Sequence, residues 1–258
     1  MRRVLSSLLL CCLLAGLAAS ARTVDVLLQE ASEAEARLDS RRALDLLLEA
    51  EPLRPDDAAL LRRIARQYSN LSIDLAAEPE RRQAVERALA YSQRAVELDP
   101  ANAEGVLSLA VCHGKLAHFG SVREKVERSR QVRAAAERAL ALDPTYAWAH
   151  HLLGRWHHEV SQLGTVARLV VRWIYGDLPG ASTAAAVHHL ESAVRLEPDQ
   201  LQHRLELGFA YLADGAPDKA RVAFQAGLAM PSRDKHDEPA KERARAALAG
   251  LPAPAGEV

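Results

Sequence analysis

The sequence predicts an all-α fold of about five stacked helix hairpins, followed by one more helix at the C-terminal end. The first observation is composition: 49% of the residues are hydrophobic and only 4% are aromatic, with alanine and leucine dominating. Such a composition favours helices that pack closely through small side chains. The second observation is a short sequence motif that ends in proline. The motif recurs along the chain and divides the chain into similar units. The four prolines are Pro55, Pro100, Pro144 and Pro198.

Small and large residues recur at fixed distances from these prolines. An alanine stands five residues before each proline, and an aliphatic residue followed by a small one stands nine and ten residues after it. A small residue lets two helices approach, and the large residue beside it fills the neighbouring groove. One hairpin cannot bury its apolar face alone, so neighbouring hairpins must stack. The alanines are Ala50, Ala95, Ala139 and Ala193, and the pairs are Ile64-Ala65, Leu109-Ala110, Leu153-Gly154 and Leu207-Gly208.

The prolines and the capping residues place the helices. Proline ends the second helix of each hairpin, and Asp39-Ser40 offers an N-cap within the first hairpin. The proline spacings are 45, 44 and 54 residues, and we expect their excess over a plain period of about 34 to lie between the two helices of a unit. The predicted hairpins pair residues 24–38 with 40–51, 57–75 with 80–98 through Glu78-Pro79, 102–118 with 121–142, 146–163 with 183–196, and 202–213 with 217–229; the capping helix covers 238–251.

The closing repeat resembles a known class of repeat protein. Its Leu207-Gly208-x-x-Tyr211 and Ala220-x-x-x-Phe224 are similar to the tetratricopeptide motif, which implies a tetratricopeptide-like superhelix with insertions. More narrowly, residues 58–250 resemble the regulator of microtubule dynamics family through His151-Leu152-Leu153-Gly154-Arg155-Trp156 and an aliphatic insert that runs into Leu178-Pro179-Gly180. The resemblance implies a helical-repeat adaptor; several animal members of that family are associated with microtubules or held at organelle membranes.

The N-terminal residues have the layout of a secretory signal. Arg2-Arg3 precede an apolar run, and Ala19-Ser20-Ala21 follows it, so we expect a signal peptide over residues 1–21. A buried N-terminal helix is the alternative. The expected location is periplasmic or secreted, where the chain would not meet tubulin, with a cytoplasmic location as the alternative. The repeat domain would cover residues 22–251, and residues 252–258 would form a disordered tail.

The residue pattern predicts no catalytic, metal or cofactor site. Six of the ten histidines lie between residues 150 and 189, but their spacing of seven suits packing or groove-lining roles better than metal ligation, which favours ligands three or four apart. No nucleophile elbow or glycine-rich phosphate loop is present. Cys112 is expected to be a buried, inert thiol rather than a nucleophile. A formal net charge of -1 implies no nucleic-acid partner.

The first helices of the hairpins are predicted to line a concave groove. Arginines, a tryptophan and histidines fall at the inward positions of these helices, a combination that suits a peptide carboxylate or an acidic segment. The alternative is a solvated, charged helix face. The predicted groove-binding residues are Arg62, Arg66, Lys115, Trp148, His151, Arg155 and His158, with Glu104, Leu107, Gln202, Leu205 and Phe209 beside them.

The insert in the fourth hairpin, residues 164–182, is a second candidate surface. Its Leu169-Val170 and Trp173-Ile174 fit one face of a helix. An extra helix that covers the edge of the hairpin is the first interpretation. A docking face for a partner or a lipid surface is the second.

Together these observations predict a non-enzymatic, exported adaptor or scaffold that binds a protein or peptide partner in the groove. The alternatives are binding of a lipid or apolar ligand, with membrane docking, through residues 164–182, and a microtubule-associated regulator if the chain is not exported. Contact with a membrane is the less favoured of the partner classes. We expect Arg62→Glu combined with Arg155→Glu to abolish capture of the partner with little change in stability, because both side chains should be exposed.

Overall fold

The chain is all-helical wherever the structure describes it. The computed structural model describes residues 23–164 and 180–252. These ranges contain eleven α-helices, one 3-10 turn (Glu51–Leu53) and no strand, so the all-α prediction is confirmed. The predicted signal at 1–21, residues 165–179 of the insert and the tail from residue 253 lie outside the described residues. The helices are α1 (Val24–Ala36), α2 (Ser40–Ala50), α3 (Ala58–Asp74), α4 (Glu78–Leu98), α5 (Ala103–Ala117), α6 (Val122–Leu142), α7 (Ala147–Ser161), α8 (Thr183–Leu196), α9 (Leu201–Ala213), α10 (Pro217–Leu228) and α11 (Asp237–Ala249).

The residues group into two compact units, Met1–Pro55 and Asp56–Val258, where the repeat pattern predicts one domain over residues 22–251. In the first unit α1 packs on α2, and Leu27 and Leu47 are at most 1% exposed. The predicted N-cap is present: the Asp39 carboxylate accepts a hydrogen bond from the Arg42 backbone N–H at 3.0 Å. A cap of this kind stabilises a helix by about 1 kcal/mol.

The second unit is a row of four hairpins and a closing helix. The pairs α3/α4, α5/α6, α7/α8 and α9/α10 each pack together, and the second helix of one hairpin packs on the first helix of the next. The first helices also contact one another in order, α3 with α5, α5 with α7 and α7 with α9. Helix α11 packs on α9 and α10, and its Ala240 and Ala244 join the core around Leu205 and Phe224. The predicted capping helix is therefore confirmed.

The repeat register is confirmed by burial. The alanines five residues before each proline are all buried, at 0%, 2%, 0% and 0% exposure from Ala50 to Ala193. Gly154 shows why this register needs small residues: a Cβ built there would lie 2.5 Å from Leu190 Cγ and 3.2 Å from the Ala186 carbonyl oxygen of α8. Gly208 is similar, with the Phe224 ring 2.5 Å from its ideal Cβ position. These glycines bring the two helices of a hairpin into direct contact.

The extra length of the second and third hairpins is distributed differently from the prediction. We expected the residues in excess of the plain period to lie between the two helices of a hairpin. They lie within the second helices instead: α4 and α6 each run for 21 residues, and only short connections precede them. Glu78-Pro79, predicted as the connection, forms the first turn of α4, where proline lacks an N–H that the helix would not have used. Only in the fourth hairpin does the excess separate the helices, between Ser161 and Thr183.

Candidate binding groove

The candidate site is a groove over the first helices of the second unit. It consists of two adjoining cavities of about 380 and 330 Å³. Helices α3, α5 and α7 supply most of the wall, and α6 and α9 contribute to the second cavity. Leu107, Val111 and Trp148 border both cavities, and so do Asp234 and His236 from the segment between α10 and α11. The groove is therefore a feature of several stacked hairpins, since a single hairpin could not form it.

The first cavity contains two arginines that share one carboxylate. Arg66 hydrogen-bonds to Glu104 Oε1, and Arg62 Nε lies 3.7 Å from Glu104 Oε2. The Arg62 side chain is only 20% exposed, whereas that of Arg66 is 60% exposed. Tyr146 closes the side of this cavity, and burial raises the pKa of its hydroxyl to about 12. The cavity presents cationic groups whose charge Glu104 offsets in part.

The second cavity contains Lys115 and Arg155. The ammonium of Lys115 donates a hydrogen bond to the Ser69 carbonyl at 2.7 Å, and burial lowers its pKa to about 8 although Cys112 and Asp234 act in the opposite direction. Arg155 forms ion pairs with Glu159 at 2.8 Å and with Glu206 at 3.9 Å. A buried ammonium costs solvation energy that a nearby carboxylate can offset. An added negative charge near Lys115 would therefore favour its charged form.

Trp148 separates the two cavities and rests on a pair of buried histidines. Its ring centroid lies 5.1 Å from that of His151 and 4.7 Å from that of His203. The two imidazoles share a hydrogen bond of 3.0 Å between their Nδ1 atoms, so one ring donates and the other accepts. Burial lowers the pKa of His203 to about 4 and places that of His151 well below its usual range. The neutral histidine pair fixes the position of the tryptophan.

A short irregular segment, residues 231–236, extends across the groove, and we call it the strap. Its C-terminal end is fixed by Asp237, which is 3% exposed and accepts hydrogen bonds from the backbone N–H groups of Arg233 and Asp234. Gln202 of α9 donates to the same carboxylate at 2.8 Å. At the other side of the groove, Lys235 forms an ion pair with Asp74 at the end of α3. The strap therefore joins the last helices of this unit to its first.

The structure brings most of the predicted groove residues together, although it tests no binding. Arg62 and Arg66 border the first cavity, and Lys115 and Arg155 border the second. Trp148 borders both. The two arginines chosen for reversal were expected to be exposed, but their side chains are only 20% and 38% exposed, and both contact carboxylates. Reversing their charges would place carboxylates together and destabilise the fold.

Other predicted groove residues lie deeper than the repeat pattern implied. His151 is only 5% exposed and Leu205 is fully buried. Phe209 packs edge-on against Phe224 at 4.9 Å between ring centroids. His158 borders neither cavity, and burial lowers its pKa. His151 still borders the second cavity. Leu205 and Phe209 belong instead to the core that includes Ala240 and Ala244 of α11.

The histidines and the cysteine occupy structural positions. Within the described residues no group of three or more His, Cys, Asp and Glu side chains could hold a metal ion. Several histidines contact one another instead: His189 packs against the rings of His150, His157 and His188, and its Nδ1 lies 3.0 Å from that of His150. Cys112 is 2% exposed, and burial raises the pKa of its thiol to about 11. A protonated, covered thiol of this kind is a poor nucleophile.

Comparison with known proteins assigns the chain to a family. The family model described as "Regulator of microtubule dynamics protein 1-3" matches residues 22–252. The chain belongs to this family. The regulator of microtubule dynamics protein 1 of Bos taurus is 26% identical over 159 residues, which are 61% of this chain and 50% of that protein. Protein 1 of Caenorhabditis elegans is 24% identical over 178 residues, 69% of this chain and 78% of that protein.

The match covers only part of the length of some of these relatives. Protein 3 of Xenopus laevis is 27% identical over 158 residues, which cover 61% of this chain but 34% of that protein. The chain thus matches half or less of the bovine and Xenopus proteins. Solved structures confirm the tetratricopeptide-like fold: a thermophilic TPR protein of Thermus thermophilus aligns with a TM-score of 0.63 at 21% identity, over 88% of this chain and all of that one.

The comparisons contradict the predicted location. Residues 1–21 suggested export to the periplasm or the medium, but the family and its animal members are named for regulation of microtubules, which polymerise inside cells. The prediction of a periplasmic or secreted protein is therefore wrong. Among the described residues, no helix is both long and apolar enough to cross a membrane.

Proposed function

We propose that this chain is a non-enzymatic adaptor that holds an extended segment of a partner protein in the groove, and that the partner belongs to the microtubule system. The observation that carries the proposal is the continuous groove over α3, α5 and α7, with cavities on both sides of Trp148. The names of the family and of its relatives support the choice of partner. The fold supports protein binding, because stacked helical repeats offer extended surfaces to their partners.

The groove has the chemistry that a peptide segment needs. Val111 is 36% exposed and lies between the cavities together with Leu107, so apolar side chains can be covered there. Arginine and lysine side chains surround this apolar centre and can meet carboxylate or carbonyl oxygens. Binding sites for small segments commonly combine an apolar centre with a few directed polar groups. The alternative of an apolar ligand under residues 164–182 rests mostly on residues outside those described.

The test is a pair of matched substitutions at exposed valines. Val111→Arg places a long charged side chain inside the groove, whereas Val222→Arg makes the same change on α10, where Val222 is 66% exposed and borders neither groove cavity. We expect the wild type and Val222→Arg to sediment with purified microtubules, and Val111→Arg to bind about tenfold more weakly, an effect expected when a central contact is blocked.

Two results would contradict the proposal. Equal sedimentation of both variants would remove the groove as the binding site. Failure of the wild type to bind microtubules would remove the microtubule partner. In the latter case, affinity capture from a cell extract with the same two variants identifies any partner that depends on Val111.

A further inference from the structure

We propose that the strap, residues 231–236, is a built-in occupant of the groove, and that the partner is a non-helical segment whose carboxylate takes the place of Asp234. This inference rests on the proposed function and adds to it the chemistry of the partner and the competitor that it displaces. It is carried by the position of Asp234 and His236 at both cavities and by the Lys235–Asp74 ion pair across the groove.

The charges of the groove wall argue for an occupant that carries a carboxylate. Among the residues that border the cavities, the helices supply four arginine or lysine side chains but only two carboxylates, Glu104 and Glu159. A third carboxylate comes from the strap, where Asp234 lies in the electrostatic field of Lys115. Arg155 is already paired with Glu159 and with Glu206 of α9, so the charge that Asp234 offsets is that of Lys115. A partner that displaces the strap must bring a carboxylate or leave Lys115 more poorly compensated.

The strap is anchored at both ends, and its middle is held to α3 by one ion pair. Lys241 donates to the Met230 carbonyl at 2.6 Å, and Asp237 accepts from two strap backbone N–H groups at 2.7 and 2.9 Å. At the α3 side, by contrast, the strap is held through the ion pair with Asp74, whose side chain is 46% exposed. Part-exposed ion pairs contribute little to stability. The side chains in the middle of the strap can therefore leave α3 while both ends of the strap stay in place.

The strap also shows that a non-helical backbone fits the groove. Its residues are neither helical nor strand-paired, and the Asp234 side chain accepts from the His236 backbone N–H at 2.8 Å, which forms a local turn. A non-helical segment with a carboxylate at its centre therefore already fits between α3, α5 and α7. A partner segment of the same kind would compete with the strap for the same cavities.

The experiment uses a fluorescein-labelled peptide with the sequence of residues 230–237 as its probe. Its affinity is measured by polarisation for the wild type, for Lys235→Ala and for Lys125→Ala, where Lys125 is an exposed lysine of α6. The side chains of the probe carry no net charge at neutral pH, because Arg233 and Lys235 balance Asp234 and Asp237. Loss of one lysine from the protein should therefore change the electrostatic attraction of the probe little. We expect instead about threefold to fivefold tighter binding, because loss of one ion pair raises the fraction of open groove by that order.

Two further arms locate the probe and test its carboxylate. A peptide with asparagine in place of Asp234 should bind the Lys235→Ala protein about fivefold more weakly than the aspartate peptide, the order of effect expected for a charge-assisted contact. Val111→Arg in the Lys235→Ala protein should weaken the aspartate peptide as well. Hydrogen exchange at residues 234–236 should be faster in Lys235→Ala than in Lys125→Ala.

The inference is overturned if Lys235→Ala and Lys125→Ala bind the probe equally, if neither binds it up to about 1 mM, or if the asparagine peptide binds as well as the aspartate one. These outcomes are separate from the test of the proposed function. Microtubule binding that is lost in Val111→Arg but unchanged in Lys235→Ala would keep the groove as the site and reject the strap as its competitor. If the probe binds but no partner is found whose binding depends on Val111, the strap is kept as an occupant of the groove and the proposed function is rejected.

Discussion

Two faces of helix α7 are packed differently. One face contacts α8, and the other forms part of the groove wall. On one face of α7, Gly154 meets Ala186 and Leu190 with no room for a Cβ, and Leu153 is 3% exposed. On another face, Arg155 and Trp148 border an open cavity and are held by ion pairs and ring contacts. The first face is dry and close-packed, while the second is polar and partly solvated.

This difference separates stability from recognition. Close-packed apolar contacts lose several kcal/mol when atoms are removed or added. Part-exposed ion pairs lose little, and the polar groups remain available to exchange partners. Substitutions on α7 should therefore divide into those that unfold the protein and those that change binding alone. The predictions below test this division, starting with the largest expected effect.

Leu153→Ala should be the most damaging change. Leu153 belongs to the core formed by α5, α6 and α7, and truncation of a buried leucine removes apolar contacts and leaves a cavity. We expect a loss of about 2–5 kcal/mol in the free energy of unfolding, measured from urea transitions. Leu152→Ala, on the neighbouring half-buried position, is the control and should cost less. Equal losses would show that the two faces of α7 are not distinct.

Gly154→Leu should overfill the contact between α7 and α8. Because a Cβ alone would lie 2.5 Å from Leu190 Cγ, the larger side chain must push α8 away, at a cost of about 1–3 kcal/mol. Gly154→Ala should also destabilise, since the Ala186 carbonyl at 3.2 Å belongs to the backbone and cannot swing aside. Urea midpoints measure both variants. If Gly154→Leu is as stable as the wild type, the contact is not close-packed.

Acidification should weaken the floor of the groove through His203. Its pKa is lowered to about 4 by burial, against about 6.5 in an unfolded chain, so the unfolded state takes up the proton first as pH falls. Stability is therefore fully present above about pH 6.5 and is lost progressively between about 6.5 and 4. At pH 5 the loss from this group is on the order of 2 kcal/mol.

The measurement compares urea midpoints at pH 7.5 and pH 5 in wild type, His203→Gln and His118→Gln. His203 is fully buried beside His151 and Trp148, with Glu197 at 3.6 Å, whereas His118 is exposed. The difference between the two pH values should shrink in His203→Gln and persist in His118→Gln. If the difference in urea midpoint between pH 7.5 and pH 5 is unchanged in His203→Gln, protonation of His203 is not the cause of the loss of stability in acid.

The smallest effect on stability is expected for Val111→Arg. Val111 is 36% exposed and borders open space on both sides, so its replacement should alter the free energy of unfolding by no more than about 0.5 kcal/mol. Thermal or urea unfolding beside Val222→Arg measures this. A loss as large as that of Leu153→Ala would mean that the groove wall is part of the core, and the division between stability and recognition would fail.

The helices and the close contacts were accessible from the sequence because their causes are local. Proline, the N-cap side chain of Asp39 and the small residues of each repeat act within a few positions of themselves. Such signals fix where helices begin and end and which face turns inward. The predicted positions of Arg62, Arg66, Trp148 and Arg155 follow from the same register, which is why they reach the groove.

The rest of the groove depends on contacts that local patterns do not encode. The burial of His151 follows from His203, which lies 52 residues later in another hairpin. The covering of Lys115 follows from α3 and from the strap. The strap itself has no periodicity, so residues 231–236 read as a simple connection. Its proline and aspartate indicate a turn, but nothing in the sequence indicates which surface that turn faces.

The ion pair between Lys235 and Asp74 also has a kinetic consequence. It joins residues 161 positions apart, whereas the contacts within and between neighbouring hairpins connect segments close in sequence. Chains dominated by such local contacts fold quickly, and closing a long loop adds an entropic cost before its contact is gained. This pair therefore forms after the hairpins have assembled. Its strength affects the rate at which the folded unit opens and leaves the rate at which it folds almost untouched.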